Sequence, residues 1–364
     1  MMRLDDREWE PISISNLFFF IRGRENNMAT LEDGDTPLIS ARSVNNGLKG
    51  FVNTPKKIVA GHCITLNNDG DGGAGLAYYQ PADMALDTHV TALIPKVEMS
   101  MYTMFFISEC LSKLHGFFGH GLSISNSRVK KIRIMLPVTD EGEPDYQFMN
   151  DYMSELMVKK KKQYRGYVKQ RITALCAVTC DQQVDWKSMI DSHNWEPFQI
   201  DTIFNILPGK RLVAADSTPG DRPFIGALDN SNGVARFVSD KNESLDKNVL
   251  GVNYNGNGMV IGFYHPYECI FSDDVKRFHL KDRGDDPFVL LFMKTAILMQ
   301  KQKFGYLYKF NADRMAHTSI MLPITDDGQP DYDFMEEFGR KMMLNKYSQY
   351  LSFFALSATT KKDI

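Results

Sequence analysis

Asp69-Gly70-Asp71-Gly72-Gly73 has the alternating carboxylate and glycine spacing with which a calcium loop begins. Its counterpart 186 residues further on, Asn255-Gly256-Asn257-Gly258, keeps glycines but has lost both carboxylates. A hard cation needs the charges, whereas a tight turn needs only the Asn/Asp-Gly backbone preference, so turns are expected at both places. Pro144-Asp145 and Pro330-Asp331 share the Pro-Asp of nuclease motifs, but no Asp/Glu-x-Lys tripeptide follows closely. Each stands where a helix should begin, with the proline ending a turn and the aspartate placed to cap. His62 with Cys63, and His115 with His120, are too isolated to hold a metal. No phosphate loop, Gly-x-Ser-x-Gly elbow, His-Glu-x-x-His pair or Rossmann glycine loop is present, and nothing matches the Asn/Asp-Pro-Pro-Tyr/Phe pocket of amino-methyltransferases.

The elements around these residues come in two sets. Trp9-Glu10-Pro11 recurs as Trp195-Glu196-Pro197, displaced by 186 positions. Leu136-Pro137-Val138-Thr139-Asp140 recurs as Leu322-Pro323-Ile324-Thr325-Asp326 at the same displacement, and Arg128 matches Arg314. One module has been duplicated. Each copy opens with about 130 residues of short strand-like runs and Gly/Asn/Asp turns. Within it lies an apolar helix (101–114, 287–299), and a strand at 132–137 or 319–323 closes it. A long helix then carries an apolar stripe: Phe148, Tyr152, Leu156, Tyr164, Val168, Ile172 and Leu175, then Phe334, Phe338, Met342, Tyr350 and Phe354. From Asp145 to about Val178 it should rise roughly 50 Å. A stripe of that length needs another helix to cover it, and the equivalent helix of the other copy is the economical choice. Lys159-Lys160-Lys161-Lys162 falls on its outer face.

Composition agrees with folded domains. Hydrophobic residues make 43% and charged residues 24% of 364 residues, which excludes a disordered chain. Leu17-Phe18-Phe19-Phe20-Ile21 is too short to span a bilayer and follows an acidic opening, so neither membrane nor signal peptide is expected. Five cysteines without a Cys-x-x-Cys pair point to a reducing cytoplasm. The net charge of −3 argues against a chain that grips nucleic acid alone, and in favour of sharing the work with a partner.

Two β-rich modules, each with a Trp-x-Pro-like start, a closing Ile-x-Leu-Pro and a long helix, resemble the DNA specificity subunit of restriction–modification systems, type I or type IIB. Trp9-Glu10-Pro11, Pro37-Leu38-Ile39-Ser40-Ala41-Arg42, Asn126-Ser127-Arg128 and Ile134-Met135-Leu136-Pro137 carry the likeness in the first copy. Trp195-Glu196-Pro197, Pro223-Phe224-Ile225, Asn311-Ala312-Asp313-Arg314 and Ile320-Met321-Leu322-Pro323 carry it in the second. The Leu-Pro-Val-Thr-Asp joint is similar to the type IIB version. The resemblance implies an α/β (α+β) chain of two target-recognition domains whose long helices pair as an antiparallel coiled coil. The expected division is domain one at 1–144, helix at 145–180, linker at 181–194, domain two at 195–330, helix at 331–358 and tail at 359–364. It further implies that each domain reads one half of a split site in double-stranded DNA, that the helix pair sets the distance, and that methyltransferase or fused methyltransferase–endonuclease subunits dock there. Catalysis, with S-adenosylmethionine and Mg2+, would belong to those partners, and this chain would carry no cofactor or metal.

Base reading needs Arg or Lys for guanine and Asn or Gln for adenine, with phosphate contacts for register, and loops are where such residues sit. The 40–49 loop offers Arg42, Asn45, Asn46 and Lys49, and its partner offers Asn230, Asn232 and Arg236. A second loop offers His120 and Ser123 ahead of Arg128, Lys130 and Lys131, and its counterpart offers Tyr306, Tyr308 and Lys309 ahead of Arg314. Position-matched Arg128 and Arg314 also suit a structural role in the shared fold, and solvated turn residues are the competing reading for the rest. Two other functions compete: an enzyme of unrecognised type, and a duplicated-domain scaffold for protein interaction.

Overall fold

The structure is a computed structural model. It describes residues 2–359 apart from 27–30, 54, 70–72, 119–121, 177–183, 257 and 306, with side chains as far as 354. His120, Tyr306, Asn257, most of the 69–73 turn, the end expected for the first long helix, the start of the linker and the tail from 360 therefore lie outside the described residues. The chain forms two compact units, Met1–Tyr164 and Arg165–Ile364.

The first unit runs β1 (Trp9–Ser13), α1 (Ile14–Leu17), β2 (Phe18–Arg22), β3 (Asp33–Ile39), β4 (Leu48–Val52), β5 (Ile58–Val59), β6 (Cys63–Asn67), β7 (Ala77–Gln80), β8 (Met84–Leu86) and β9 (Val90–Pro95). Then come α2 (Met101–Ser112), α3 (Asn126–Val129), β10 (Arg133–Pro137) and the long α4 (Tyr146–Cys176), whose later part belongs to the second unit. An antiparallel sheet ordered β2-β9-β6-β7 receives α2 on one face, because every residue of β6 is buried and Ile64, Leu66 and Leu93 meet Met104, Ile107 and Leu111. The second sheet is β4-β3-β8-β5, and β1 pairs β10 apart from both. Ser100 caps α2 by accepting from the Thr103 amide at 3.1 Å.

The second unit adds α5 (Trp186–Asp191), β11 (Trp195–Gln199), α6 (Ile200–Ile203), β12 (Phe204–Pro208), β13 (Pro219–Ile225), β14 (Val234–Val238), β15 (Val249–Asn253), β16 (Gly262–His265), β17 (Ile270–Phe271) and β18 (Val275–Leu280). It closes with α7 (Pro287–Leu298), α8 (Ala312–His317), β19 (Ser319–Pro323) and α9 (Tyr332–Thr359). Its sheets are ordered β12-β18-β15-β16 and β14-β13-β17, with β11 on β19. This is the strand order of the first unit, without a partner for β5. The duplication is one of fold.

The repeated sequence anchors meet in space. Trp9 stands opposite Pro137 on the β1–β10 ladder, and Trp195 opposite Pro323 on β11–β19. Each Trp indole donates to a carbonyl five residues back, Leu4 at 2.8 Å and Ile190 at 3.3 Å. Beyond the ladder the Pro-Asp signal works as a cap: Asp145 accepts from the Phe148 amide at 2.8 Å and Asp331 from Phe334 at 2.9 Å. The first turns of α4 then pack down on their own globule through Met149, Tyr152 and Met153.

Within the second unit the end of α4 runs antiparallel to α9. Tyr167 meets Tyr347 with ring centroids 6.2 Å apart, Arg171 approaches the Met343 sulfur at 3.9 Å, and Leu175 is buried with Leu344 and Phe288. The stripe read from sequence is thus covered in two ways, by the globule where α4 starts and by α9 where it ends. Among the described residues no helix is long and apolar enough to cross a membrane.

Candidate nucleic-acid interface

The first recognition loop is a turn bent by left-handed residues. Asn45, Asn46 and Gly47 have φ of 53°, 54° and 77°, and Ser231, Asn232 and Gly233 have 49°, 53° and 74°. Asparagine tolerates this region where most residues do not. The Asn46 amide donates to the Tyr79 carbonyl at 3.0 Å and to Gln80 Oε1 at 3.2 Å, and Gln80 returns a bond to the Asn46 carbonyl at 2.9 Å. The Asn232 amide donates to the Tyr267 hydroxyl at 2.9 Å. The Asn46 side chain therefore holds its turn onto β7, and the Asn232 side chain holds its turn onto the loop after β16. Asn45 and Lys49 are exposed on the same loop.

The arginines of these loops are partly engaged. Arg42 Nη1 donates to the Leu48 carbonyl at 3.1 Å. Arg236 donates to the Leu212 carbonyl at 2.7 Å and lies over the Phe224 ring at 4.0 Å. Asn230 donates to Asp229 at 3.1 Å. In the second loop, Arg128 donates to the Ser123 carbonyl at 2.7 Å and Arg314 to the Lys309 carbonyl at 2.9 Å. The position-matched pair closes matching loops ahead of α3 and α8. Arg314 also covers the Tyr308 ring at 3.9 Å. Lys130 and Lys131 are exposed just beyond α3.

What brings the two loops of each unit together is a residue that sequence reading passed over. Asn67, fully buried, donates to the Arg42 carbonyl at 3.0 Å and the Gly73 carbonyl at 3.1 Å. Its neighbour Asn68 accepts from the Ile124 amide, next to Ser123, at 2.7 Å. In the second unit Asn253, 1% exposed, donates to the Leu228 carbonyl at 2.7 Å and the Gly258 carbonyl at 3.1 Å. Met259 beside it receives the Phe310 amide at 3.1 Å from the second loop. One buried asparagine in each unit ties the first loop to the end of a core strand, and a residue close after it in the chain receives the second loop. The signal was available: Asn67 and Asn253 are 186 positions apart in otherwise different turns.

Charge marks what this surface faces. Around the loops of the first unit stand Lys49, Lys130 and Lys131, and around those of the second, Lys301 and Lys303. A groove of about 730 Å3 where β1 approaches the start of α4 has the opposite character, lined by Asp5, Asp6, Glu8, Glu10, Asp140 and Glu141. A polyanion is repelled there.

Perturbed titrating groups serve structure. Asp246 accepts from Arg277 at 2.8 Å and meets His279 Nε2 at 3.0 Å, while His279 Nδ1 meets Asp285 at 2.6 Å. Hydrogen bonds to Asp246 and Asp285 push the His279 imidazole up to about 9. Both ring nitrogens are committed to carboxylates, and no nucleophile joins them. Burial pushes the thiols of Cys63, Cys110 and Cys269 up to about 12, far from a reactive thiolate. Among the described residues the four cysteines are free, and no cluster of His, Cys, Asp and Glu is placed to hold a metal.

Comparison with known proteins gives three findings. A family model described as "Type I restriction modification DNA specificity domain" matches residues 6–164 and again 192–350. The "Type II restriction enzyme BgcI specificity subunit S.BcgI" of Heyndrickxia coagulans is 38% identical over 340 residues, which are 92% of this chain and 94% of that protein. Among solved structures, the type I restriction–modification S subunit from M. genitalium is 13% identical with a TM-score of 0.44, covering 99% of this chain and 96% of that one. The HsdS subunit from Thermoanaerobacter tengcongensis is 10% identical with a TM-score of 0.31, covering 96% and 91%.

Proposed function

This chain belongs to the type I restriction–modification DNA specificity domain family and carries the domain twice, and from that premise we propose how its two halves divide the reading of DNA. It is the non-catalytic specificity subunit of a restriction–modification system, a DNA-binding chain with two recognition domains that assembles with the other subunits of the complex. In our reading each unit recognises one half of a split target in double-stranded DNA. The observation that carries this is one strand order bearing two different sets of loop residues: a common scaffold with Arg42, Asn45 and Lys49 in one unit and Asn230 and Arg236 in the other. Shared structure serves the fold, and divergent loop chemistry serves sequence.

The remaining candidates divide by their surroundings. Lys130, Lys131 and Lys309 suit phosphate contacts, and Arg128, Arg314, Asn46 and Asn232 set the shape of the loops that make them. Methyltransferase or fused methyltransferase–endonuclease subunits dock on the complex and bring S-adenosylmethionine and Mg2+, and the assembly works in the cytoplasm.

The test is selection of duplexes from a random pool by the purified full chain. The selected sequences should be bipartite, and the chain with S-adenosylmethionine but without partners should transfer no methyl groups. Arg42→Ala should relax preference in one half-site and Asn230→Ala in the other, with a bidentate hydrogen-bond pair to a base worth about 1–3 kcal/mol of discrimination. Lys130→Ala should weaken all sequences alike and reduce the salt slope by about 1. If a substitution in one unit relaxes both halves equally, the assignment of one reader to each unit fails.

A further inference from the structure

The second unit ends its recognition surface in a projecting leucine. Leu307 is 96% exposed, more than any other large hydrophobic side chain among the described residues. Gly305 and Tyr308 exchange backbone hydrogen bonds of 3.1 and 3.0 Å, which closes a hairpin that carries Leu307. The stem beneath is stiff. Tyr308 stacks on Phe304 with rings 12° from parallel, Phe304 packs on the fully buried Phe310 at 4.6 Å, and Arg314 lies over the Tyr308 ring at 3.9 Å.

A lone exposed leucine is ordinary on a protein surface. A leucine carried by an aromatic-braced hairpin is held out at fixed reach, with little side-chain or loop freedom left to lose when it is buried. Its setting is cationic, with Lys301, Lys303, Lys309 and Arg314 close by in sequence and Asp313 the one acid among them. The same loop is tied through Phe310 and Met259 to the Asn253 hub that also holds the Leu228 loop.

We propose that Leu307 is a wedge that enters the stacked bases of duplex DNA at the half-site read by the second unit. Apolar side chains unstack a base step when neighbouring cations anchor the backbone on either side, and the opened step lets the duplex bend onto more protein surface. The wedge makes sequence count without a base hydrogen bond, because flexible pyrimidine–purine steps open most easily. This deepens the assignment of one reader to each unit and rests on it.

The experiment uses the purified full chain without methyltransferase, so that no base is flipped by a partner. Duplexes of the selected target carry 2-aminopurine at successive positions, and its fluorescence rises where bases unstack. The wild-type chain should raise it at one step in the half-site read by the second unit. Leu307→Ala should abolish that rise and weaken binding roughly tenfold with the salt slope unchanged, since the side chain removed is apolar. Leu307→Phe should keep both. If Leu307→Ala leaves the rise and the affinity as they were, the wedge is wrong while the readers stand. A wild-type chain that selects no bipartite sequence would overturn the readers and the wedge together.

Discussion

Replacing Asp246 by alanine should unfold the second unit more readily by about 3–5 kcal/mol at pH 6, the cost of leaving buried charges without their partner. Arg277 exposes only 9% of its side chain, and the carboxylate is what answers its charge and that of His279. The first unit shows that the scaffold does not need the cluster. Val59, Ala92, Ile94 and Met99 stand at the equivalent ladder and loop positions. Replacing all four charged residues with these apolar ones should therefore recover most of the loss, as exchanging a whole buried ionic group often does.

The pH dependence has a definite sign. His279 titrates near 9 when folded, against 6.5 for the free side chain, so its contribution is complete below about pH 6.5 and is lost as pH rises through 9. For Asp246 burial works upward, but the hydrogen bond and charge of His279, with Arg277, outweigh it and hold the carboxyl below its usual range. Its contribution is present above the ordinary carboxylate pKa and fails only in acid. The second unit should thus lose about 2 kcal/mol between pH 6.5 and 9, with screening at the 23% exposed ring allowed for. Urea denaturation of a Trp9→Phe chain, where Trp186 and Trp195 report the second unit, measures both effects. A loss under about 1 kcal/mol for Asp246→Ala, or a flat profile over that range, contradicts the account.

Asn253→Ala should erase discrimination at one half-site by tenfold or more while the other is read normally, and Asn67→Ala should do the reverse. Neither side chain is placed to touch DNA, since each is buried against backbone carbonyls. Removing the amide leaves two buried carbonyls without their donor, at about 1–3 kcal/mol of stability, and releases the first loop from the strand end to which the second is tied. The effect on reading should exceed the effect on folding, because base contacts depend on loop placement to within a fraction of an ångström. Selection from a random pool at constant salt reads out the half-sites, and denaturation reads out the stability. If both half-sites relax together with Asn253→Ala, the hub does not act within its own unit.

The sequence by itself determined what is local or repeated. A displacement of 186 positions exposed the duplication, and cap signals and apolar stripes placed α2, α7 and the starts of α4 and α9 to within a few residues, because caps and periodicity act over one or two turns. The left-handed turns at Asn45-Asn46 and Ser231-Asn232 were legible as Asn-Gly signals. Only tertiary structure decided how the amides of those turns are used, since Asn46 meets Tyr79 and Gln80 from a strand more than thirty residues away. The 186 spacing marks Asn67 and Asn253 as a matched pair, but their part as hubs was hidden for the same reason: a strand-end asparagine looks like any turn asparagine until the carbonyls around it are known. The Asp246, Arg277, His279 and Asp285 cluster is likewise gathered from separate segments of the chain, with no spacing to betray it. Which strand ends lie side by side is fixed by sheet order, and sheet order follows from burying both faces of β6 and β15 at once, a condition on the whole core that no short stretch of residues expresses.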